Sequence, residues 1–393
     1  MRKMYATVGK WDSKPGNKGL SIMSYDAQKG AMEIIDTVFE EITSGSQCMR
    51  PDMGILYVCD EREDRDGWVG GGGYVLAIKI SPADGKASII NRKESLGTAP
   101  SYIIMDKSGQ YLLVTHHGKQ GHATKVFQHL DGSYDSKVIF DDAALVLFRL
   151  NSDGSIGNIC DVSITQGEGV SGKHTISHQH SITTDPTGKL YFICDKGTDK
   201  VYTYHIDREN GKLVFLKEYT VMDGCAPRYA VFHPTIPVVF HNNENKTEIN
   251  AWRYDIASGE LERICTAQLF NTEELAALEP AGIKPNGSCM YGPSDIVITK
   301  DGKNLYCSVR KANKIVVLNV DDGGCMTAKQ VLDCGGNNPR GLCLSPDGRF
   351  LFSANMESGN IARFIINADG GLYYDGLAAE NMHIPANMVI MEL

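Results

Sequence analysis

The stretch PRGLCLSPDGRFLFSANMESGNIARFIINADG, residues 339–370, decides the fold of this chain. It begins with a short Pro-led apolar run, passes through the turn sequence SPDG and enters a second apolar run that ends in polar residues. A third run then alternates apolar and polar residues before the turn sequence NADG. Period-two alternation bounded by Gly, Asp and Asn is typical of antiparallel strands joined by hairpins. The stretch therefore predicts a unit of consecutive β-strands.

The same unit recurs along the chain, most clearly in its second apolar run. The seven copies of that run begin at Tyr5, Leu56, Leu112, Leu190, Val238, Leu305 and Leu351. Each copy is followed by an alternating run, and most are preceded by a Pro-led run. Four-stranded units repeated around a ring make a β-propeller. The sequence thus predicts an all-β, seven-bladed propeller as a single domain over residues 1–393, with TEELAAL (272–278) as the best helix candidate.

The first and last segments predict how the ring closes. The chain starts at a second-type run, so the first unit lacks a Pro-led strand of its own. The segment IPANMVIMEL (384–393) is similar to the Pro-led segment TAPSYIIMDK (98–107). Closure of a ring removes the open strand edges that would otherwise pair with other chains. We therefore expect the C-terminal strand to be the innermost strand of blade one.

Composition and charge exclude several classes of function. The 393 residues carry a formal charge of −9 and a pI of about 5.7, which argues against the basic face of a nucleic-acid-binding protein. No window is apolar enough to span a bilayer, and the N-terminus lacks the features of a secretory signal. The eleven cysteines include no CxxC pair. They indicate reduced thiols in a cytoplasmic protein rather than disulfides or a zinc site.

The long insertions should all lie on one face of the ring. In antiparallel blades, the start of each Pro-led strand and the end of the following strand share a face. The segments that lead into or out of those positions are 61–74, 116–143, 160–178 and 266–292. Functional residues often lie on loops gathered at one end of a rigid scaffold. The pattern therefore predicts a site at the mouth of the central channel.

Polar residues at those strand ends form the candidate site. They are Glu61, His116, His117, His178, His180, Arg228, Asn243, Glu244, Arg310 and Arg340. Arginine binds carboxylate or phosphate through its planar fork, and His and Glu exchange protons near neutral pH. Ion pairs between neighbouring blades are the structural alternative for each residue taken alone. Together, the residues predict an anion pocket with acid–base groups.

Two competing motifs do not support a cofactor. GEGVSG (167–172) matches a nucleotide-binding pattern, but a strand and a turn follow it where a helix is required. Histidines at 115–117, 122 and 174–180 suggest a metal, yet no Cys or Asp stands at a spacing that completes a ligand set. We expect neither a cofactor nor an essential metal.

The repeat units resemble the lactonase family of seven-bladed propellers, which includes propeller-type 6-phosphogluconolactonases and 3-carboxy-cis,cis-muconate lactonizing enzymes. The resemblance covers nearly the whole chain and is strongest from about residue 178 onward. The residues that match the family pattern are His178 and His180, Pro227–Arg228, Asn243–Glu244 and Arg310. The chain departs from the pattern in blade three, where HHGKQGH (116–122) stands on the binding face. That departure bears on the identity of the substrate more than on the fold.

The resemblance implies the hydrolysis of a sugar-acid or related anionic lactone by water. Glu244 or His180 would be the general base, and Arg228 and Arg310 would hold the anion and stabilise the oxyanion. The substrate-binding residues would be His178, Asn243, His117, Glu61 and Arg340. The implied partner is a small anionic lactone, with no nucleic acid or membrane, and the protein would be a monomer or a weak homo-oligomer.

Two alternatives remain open at this point. A lactonizing cyclase would run the reaction in the opposite direction with the same residues. A non-catalytic propeller would use the ring as a scaffold for partner proteins. The scaffold alternative requires four residues to be scattered among unrelated blade-to-blade contacts rather than gathered in one pocket: Arg228, Arg310, Glu244 and His180.

Overall fold

The computed structural model describes residues 3–11, 19–65, 67–118, 122–167 and 176–393, apart from the side chain of His122. Seven four-stranded antiparallel sheets are arranged as blades. The innermost strands of neighbouring blades contact one another in sequence around the ring. The chain is therefore a seven-bladed β-propeller, as the repeats predict. In the described ranges, no helix has the length and apolar character needed to cross a membrane.

The strands are numbered in chain order. Blades one to three and their insertions contain β1 (Met4–Lys10), β2 (Leu20–Asp26), β3 (Ala31–Val38), β4 (Ser44–Arg50), β5 (Ile55–Asp60), β6 (Asp64–Arg65), β7 (Trp68–Gly71), β8 (Tyr74–Ile80), β9 (Ala87–Glu94), β10 (Pro100–Met105), β11 (Tyr111–His116), β12 (His122–Gln128), β13 (Tyr134–Phe140), β14 (Ala143–Leu150) and β15 (Ile156–Thr165). Blades four and five contain β16 (Gln179–Thr184), β17 (Tyr191–Asp195), β18 (Lys200–Asp207), β19 (Lys212–Thr220), β20 (Pro227–Phe232), β21 (Val238–Asn243), β22 (Lys246–Tyr254) and β23 (Leu261–Gln268). Blades six and seven and the closing strand contain β24 (Pro293–Ile298), β25 (Asn304–Val309), β26 (Lys314–Val320), β27 (Met326–Asp333), β28 (Pro339–Leu344), β29 (Phe350–Asn355), β30 (Asn360–Ile366), β31 (Leu372–Ala379) and β32 (Pro385–Glu392).

The ring closes as the sequence predicts. Blade one has the strand order β3-β2-β1-β32, so β32 is its innermost strand. In the antiparallel register, Tyr5 pairs with Met391 and Val8 pairs with Met388. The side chains of β32 also join the core between blades: Met388 and Ile390 pack in one cluster with Phe352 of blade seven.

The core lies between adjacent blades. The second strand of each blade is buried on both faces, which is why it is almost continuously apolar in sequence. Between blades six and seven, for example, Tyr306, Leu351 and Phe364 form one fully buried cluster. Burying a side chain of this size contributes about 1.5–3 kcal/mol relative to leaving it exposed. Repetition of this contact around the ring makes the scaffold rigid.

The innermost strand of each blade begins on the face where the second strand ends. Pro227 opposes Asn243 in blade five, and Pro339 opposes Asn355 in blade seven. The insertion after β5 forms the short hairpin β6–β7, and the insertion after β11 forms the longer hairpin β12–β13. Of the motif GEGVSG, residues 168–172 lie outside the described residues.

The predicted helix is present as α1 (Thr272–Leu278), followed by a 3-10 turn at Glu279–Ala281; a second 3-10 turn spans Pro51–Met53. Asn271 and Glu274 form a reciprocal capping box at the start of α1. These two bonds satisfy backbone donors that the first turn of a helix leaves unpaired, which explains why so short a helix is stable here.

Candidate active site

One structural position recurs in all seven blades and builds the outer part of the site. It is the residue that directly follows the second strand of each blade, counted from the innermost strand outward. In blade one, that second strand is β1. Its backbone N–H donates to the carbonyl oxygen just before the innermost strand of the same blade, as Glu244 does to Ala226 at 2.7 Å and Lys196 to His178 at 3.0 Å. From blade one to blade seven, these residues are Trp11, Glu61, His117, Lys196, Glu244, Arg310 and Met356. All seven line one cavity of about 960 Å³ at the mouth of the channel.

A second recurring position lies deeper, at the second residue of each innermost strand. It carries a long side chain in three blades, namely His180, Arg228 and Arg340, and each of these lines the same cavity. The other four blades have Gly45, Ser101, Ser294 and Ala386 there. The small residues leave room for the long ones. Gly45 cannot be replaced by a larger residue without a shift of its neighbours, because an added Cβ would overlap the Glu61 carboxylate.

Glu244 lies at the centre of a cluster of cations. Its Oε2 is 2.7 Å from Lys196 Nζ, its Oε1 forms an ion pair with Arg310 Nη2, and Arg228 Nε lies 3.6 Å from Oε1. Burial acts to raise the pKa of this carboxyl, but the three cationic neighbours hold it well below its usual range. Glu244 is therefore a stable anion that positions the cations around it.

Arg228 is held rigidly at the bottom of the cavity. Its Nη1 donates to the backbone oxygen of Ser294 at 2.7 Å and lies 3.0 Å from the Ser294 hydroxyl. The guanidinium also lies 4.4 Å from the ring centroid of Tyr229. The residue is only 1% exposed, so its orientation is fixed before any ligand arrives.

Glu61 and Arg340 form a second charged group across the cavity from Glu244. The Arg340 guanidinium lies 4.4 Å from the Trp11 ring centroid, close enough for a cation–π interaction. Burial raises the pKa of Glu61 to about 7, although Arg340, Trp11 and more distant cations act to lower it. A carboxyl with a pKa in this range can both accept and release a proton near neutral pH.

Three histidines of blades three and four pack on one another. His117 stacks on His178 with ring centroids 4.2 Å apart, and His180 packs edge-on against Tyr229 at 5.1 Å. Burial lowers the pKa of His117 and His180 well below the usual value for histidine. Within the described residues, Nδ1 of His180 has no hydrogen-bond partner. The deep wall of the cavity thus offers uncharged imidazoles.

The structure brings seven of the nine proposed catalytic and binding residues to this one cavity. They are Glu61, His117, His180, Arg228, Glu244, Arg310 and Arg340. His178 and Asn243 do not line it: the Asn243 amide donates to Asn250 Oδ1 at 2.8 Å, and His178 Nδ1 lies 2.5 Å from the carbonyl oxygen of His117. His116 is buried beneath the cavity, with Nδ1 2.9 Å from the carbonyl oxygen of Ala144. The chemical roles of all these residues stay predictions.

Among the charged and aromatic residues at this recurring position, sequence analysis missed Lys196 and Trp11. Both follow second strands directly, as Glu244 and Arg310 do. Aligning the seven repeats at the ends of those strands would have identified both. Among the described residues, no group of three or more His, Cys, Asp or Glu side chains could hold a metal ion. His174 and the side chain of His122 lie outside that part of the chain. The expectation of no essential metal therefore stays a prediction.

A second cavity of about 960 Å³ opens on the opposite face, among the turns of blades six and seven and the closing strand. Apolar residues such as Leu344, Val389 and Met391 alternate there with isolated polar groups. It holds no cation cluster comparable to the one around Glu244 within the described ranges. The cations predicted from sequence therefore lie at the first cavity rather than at the second.

The fold and the first cavity define a class: seven-bladed β-propellers with a charged pocket at one mouth of the channel. A model of the family described as lactonase, seven-bladed β-propeller, matches residues 5–388. The chain therefore belongs to the lactonase family of β-propellers. That membership confirms the predicted family and the predicted class of enzyme.

A curated relative and two solved structures are similar to this chain over nearly its whole length. A 6-phosphogluconolactonase of Formosa agariphila is 24% identical over 367 residues, which cover 92% of this chain and 91% of the relative. The solved structure of a periplasmic gluconolactonase from Pseudomonas aeruginosa aligns with a TM-score of 0.79 and 18% identity, over 99% of each chain. A structure of a Lactobacillus plantarum protein aligns with a TM-score of 0.78 and 19% identity, over 100% of each chain. The cytoplasmic location expected for the present chain stays a prediction.

Proposed function

We propose that the chain hydrolyses a small anionic lactone of the sugar-acid type in the cavity at the channel mouth. One observation supports this most directly: four buried or largely buried cations and a carboxyl with a pKa near 7 converge in a single pocket of a lactonase-family propeller. The name of the Formosa relative, 6-phosphogluconolactonase, supports the same class of substrate.

In the proposed mechanism, the anionic group of the substrate binds Arg228 and Arg310. Arg228 is anchored on Ser294, and Arg310 is anchored on Glu244, so both guanidinium groups are oriented in advance. Binding to a preorganised fork loses less conformational entropy than binding to a mobile side chain. This contact would hold the lactone carbonyl on the opposite side of the cavity, towards Glu61 and Arg340.

Glu61 would then act as the general base. It would take a proton from water as the water oxygen attacks the lactone carbonyl carbon, and Arg340 would stabilise the oxyanion that forms. When the bond between the carbonyl carbon and the ring oxygen breaks, Glu61 would return the proton to that ring oxygen. The product is the open hydroxy acid, and no other reactant is consumed.

Glu244, which the sequence analysis named as a possible general base, is less suited to that role than Glu61. A base with a strongly lowered pKa is a weak proton acceptor, and three cations stabilise the Glu244 anion. His180 is also a weak base, because burial lowers its pKa well below neutrality. Glu61 combines a position on the cavity wall with a pKa of about 7.

The test is a panel of γ- and δ-lactones of sugar acids, assayed by the acid released into a pH indicator. We expect hydrolysis of at least one anionic lactone by the wild-type protein. We expect Glu61→Gln to lower kcat at least a hundredfold while changing KM little, because the amide keeps the shape but cannot take the proton. Glu33→Gln, an exposed change on β3, is the matched control.

Two outcomes would contradict the proposal. Failure of every lactone on the panel would remove the hydrolase function. Full activity of Glu61→Gln would leave hydrolysis intact and reassign the base. Incubating the protein with the open acids instead of the lactones tests the cyclase alternative. A cyclase would consume the acid and form the lactone.

A further inference from the structure

Trp11 lies in blade one, between charged residues of the two neighbouring blades. Its backbone N–H donates to the carbonyl oxygen of Ile384 at 3.3 Å, just before the closing strand begins. Its side chain lines the channel-mouth cavity together with Arg340 of blade seven and Glu61 of blade two. The indole therefore stands where the two ends of the ring meet, with one charged residue on each side.

The orientation of Arg340 depends on the Trp11 ring. The other two arginines of the cavity have polar anchors, since Arg228 donates to the Ser294 backbone and Arg310 pairs with Glu244. Among the described residues, the Arg340 guanidinium has no such hydrogen bond or ion pair, and it lies 4.4 Å from the Trp11 ring centroid instead. A cation–π contact of this kind holds a guanidinium while leaving its N–H donors available.

The indole N–H of Trp11 contacts the second charged residue, Glu61. Tryptophan has one side-chain donor, and in this structure it donates to the Glu61 carboxylate. Gly45 leaves the space for this contact: an added Cβ there would overlap Glu61 Oε2 and would lie 3.2 Å from Trp11 Cδ1. The glycine at the start of blade two thus allows the two side chains to meet.

We propose that Trp11 is a positioning residue that holds Glu61 and Arg340 together as one catalytic pair across the closure of the ring. Its effect on turnover rests on the lactonase function proposed above, whereas the contacts themselves do not. The two parts of the indole act separately, because the N–H stabilises the Glu61 carboxylate and the ring face orients Arg340. Stacking against a substrate ring is the alternative role, and it predicts a change in KM without a change in pH dependence.

Other titratable groups also act on Glu61 or respond to its charge, namely Arg340, Arg228, Lys196, Tyr229 and Cys59. Burial outweighs the cations and raises the pKa of Glu61 to about 7. The Trp11 hydrogen bond acts in the same direction as the cations, towards a lower pKa. Loss of the N–H alone should therefore raise the pKa of Glu61, because the carboxylate loses a donor and the cations stay in place.

The first experiment needs no substrate and follows tryptophan fluorescence between pH 5.5 and 8.5. We expect the wild-type emission to change with a midpoint near pH 7, as the carboxyl beside the indole titrates. The change should be absent from Glu61→Gln and from Trp11→Phe. Trp68→Phe is the matched control, since Trp68 is 79% exposed outside the cavity, and it should keep the midpoint. Trp252 stacks beside His241, whose pKa of about 4 lies outside this range.

The second experiment compares two replacements of Trp11 by steady-state kinetics on an accepted lactone. Trp11→Phe keeps an aromatic face for Arg340 and removes the N–H. It should retain kcat at alkaline pH within about twofold and move the acidic limb of kcat/KM upward by about 0.5–1 pH unit. Trp11→Leu removes the ring face as well, so kcat at alkaline pH should fall about tenfold. Trp68→Phe should change neither quantity.

The outcomes separate this proposal from the proposed function. An acidic limb that stays in place in Trp11→Phe, or a kcat that falls as far in Trp11→Phe as in Trp11→Leu, would overturn the positioning role. A raised KM with an unmoved limb would also overturn it and would assign Trp11 to substrate stacking. If no lactone is hydrolysed, the fluorescence titration decides. A midpoint near pH 7 that requires both Glu61 and Trp11 would support the contact, and a wild-type emission without that transition would refute it.

Discussion

Glu61 and Glu244 occupy the same structural position in two blades, yet their environments give them opposite acid–base character. Burial acts to raise the pKa of each carboxyl, because it favours the neutral acid. Glu244 has three cations at close range, and its pKa falls well below the usual value. The cations near Glu61, Arg340 first among them, do not outweigh the effect of its burial, and its pKa rises to about 7. The difference comes from the neighbouring blades rather than from the residue itself.

This contrast predicts the pH dependence of the reaction. A general base works only when deprotonated, so kcat/KM should fall as the pH drops below about 7, where Glu61 takes up its proton. Arg340 lowers the pKa of Glu61, so Arg340→Gln should raise that pKa and move the acidic limb to higher pH. The measurement is the pH–rate profile of both proteins, with Arg349→Gln on the opposite face as control. An acidic limb that stays in place or moves to lower pH would contradict the assignment.

Arg228 should not tolerate replacement by lysine. Its guanidinium uses Nη1 to hold the backbone of Ser294 and can offer its remaining donors to an anion at the same time. An ammonium group is a point charge that cannot reproduce this fork. We expect Arg228→Lys to raise KM roughly ten- to a hundredfold, nearly as much as Arg228→Ala. Steady-state kinetics on any accepted lactone measure this, and an unchanged KM for Arg228→Lys would show that charge alone suffices.

The residues of the site were only partly predictable from sequence. Arg228, Arg340 and His180 stand out because they open Pro-led or equivalent strands, and the topology of a propeller brings such positions together. Lys196 gave a weaker signal, since a lysine at a strand end is usually exposed to solvent. Which of the two carboxyls, Glu61 or Glu244, has the higher pKa could not be predicted at all. The charged groups that determine the two pKa values come from blades distant in sequence.

At the scale of single elements, β21 shows how a polar residue is accommodated inside a blade. His241 lies fully buried between the rings of Phe192 and Trp252, with centroids 6.1 and 6.2 Å away. Burial lowers the pKa of its imidazole to about 4. The folded chain therefore holds His241 neutral, whereas the unfolded chain protonates it at about pH 6.5.

His241 should therefore reduce the stability of the protein in mild acid. As the pH falls from about 6.5 towards 4, only the unfolded state gains this proton, so the free energy of unfolding decreases by about 2 kcal/mol at pH 5. His241→Phe keeps the ring packing and removes the titration. We expect the free energy of unfolding of the variant, relative to that of wild type, to be higher at pH 5 than at pH 8. Urea unfolding at both pH values measures this difference. An advantage independent of pH would refute this account.

The hairpin β12–β13 was expected only as an unusually long insertion. Its two strands pair with each other and with no other strand in the described part of the chain. Val126, Leu130 and Tyr134 are exposed on it. Sequence patterns identify strands that bury a face, and this hairpin has no buried face to mark it. The blade strands, by contrast, were predictable because each one contributes to a core between blades.

At the scale of the whole molecule, the closing strand should be indispensable. Truncation after Ile384 removes β32, so β1 loses the strand with which it pairs. The innermost strands of blades seven and two, β28 and β4, also lose the strand that lies between them. We expect the truncated chain to be largely insoluble, or to melt far below wild type, because open edges pair with other chains. Replacing residues 122–140 by a short Gly-Ser linker is the control, and it should leave solubility and melting nearly unchanged. A soluble truncated chain with wild-type melting would contradict the role of β32.

The pairing of Tyr5 with Met391 also determines when this protein can finish folding. A ribosome adds roughly 5–20 residues per second, so β1 is made roughly 20–80 s before β32. During that interval, blades two to seven can assemble in the order of synthesis, while the inner edge of the first three strands has no native partner. The inner edge of the first blade therefore stays unpaired, and exposed to association with other chains, for longer than any other inner strand edge.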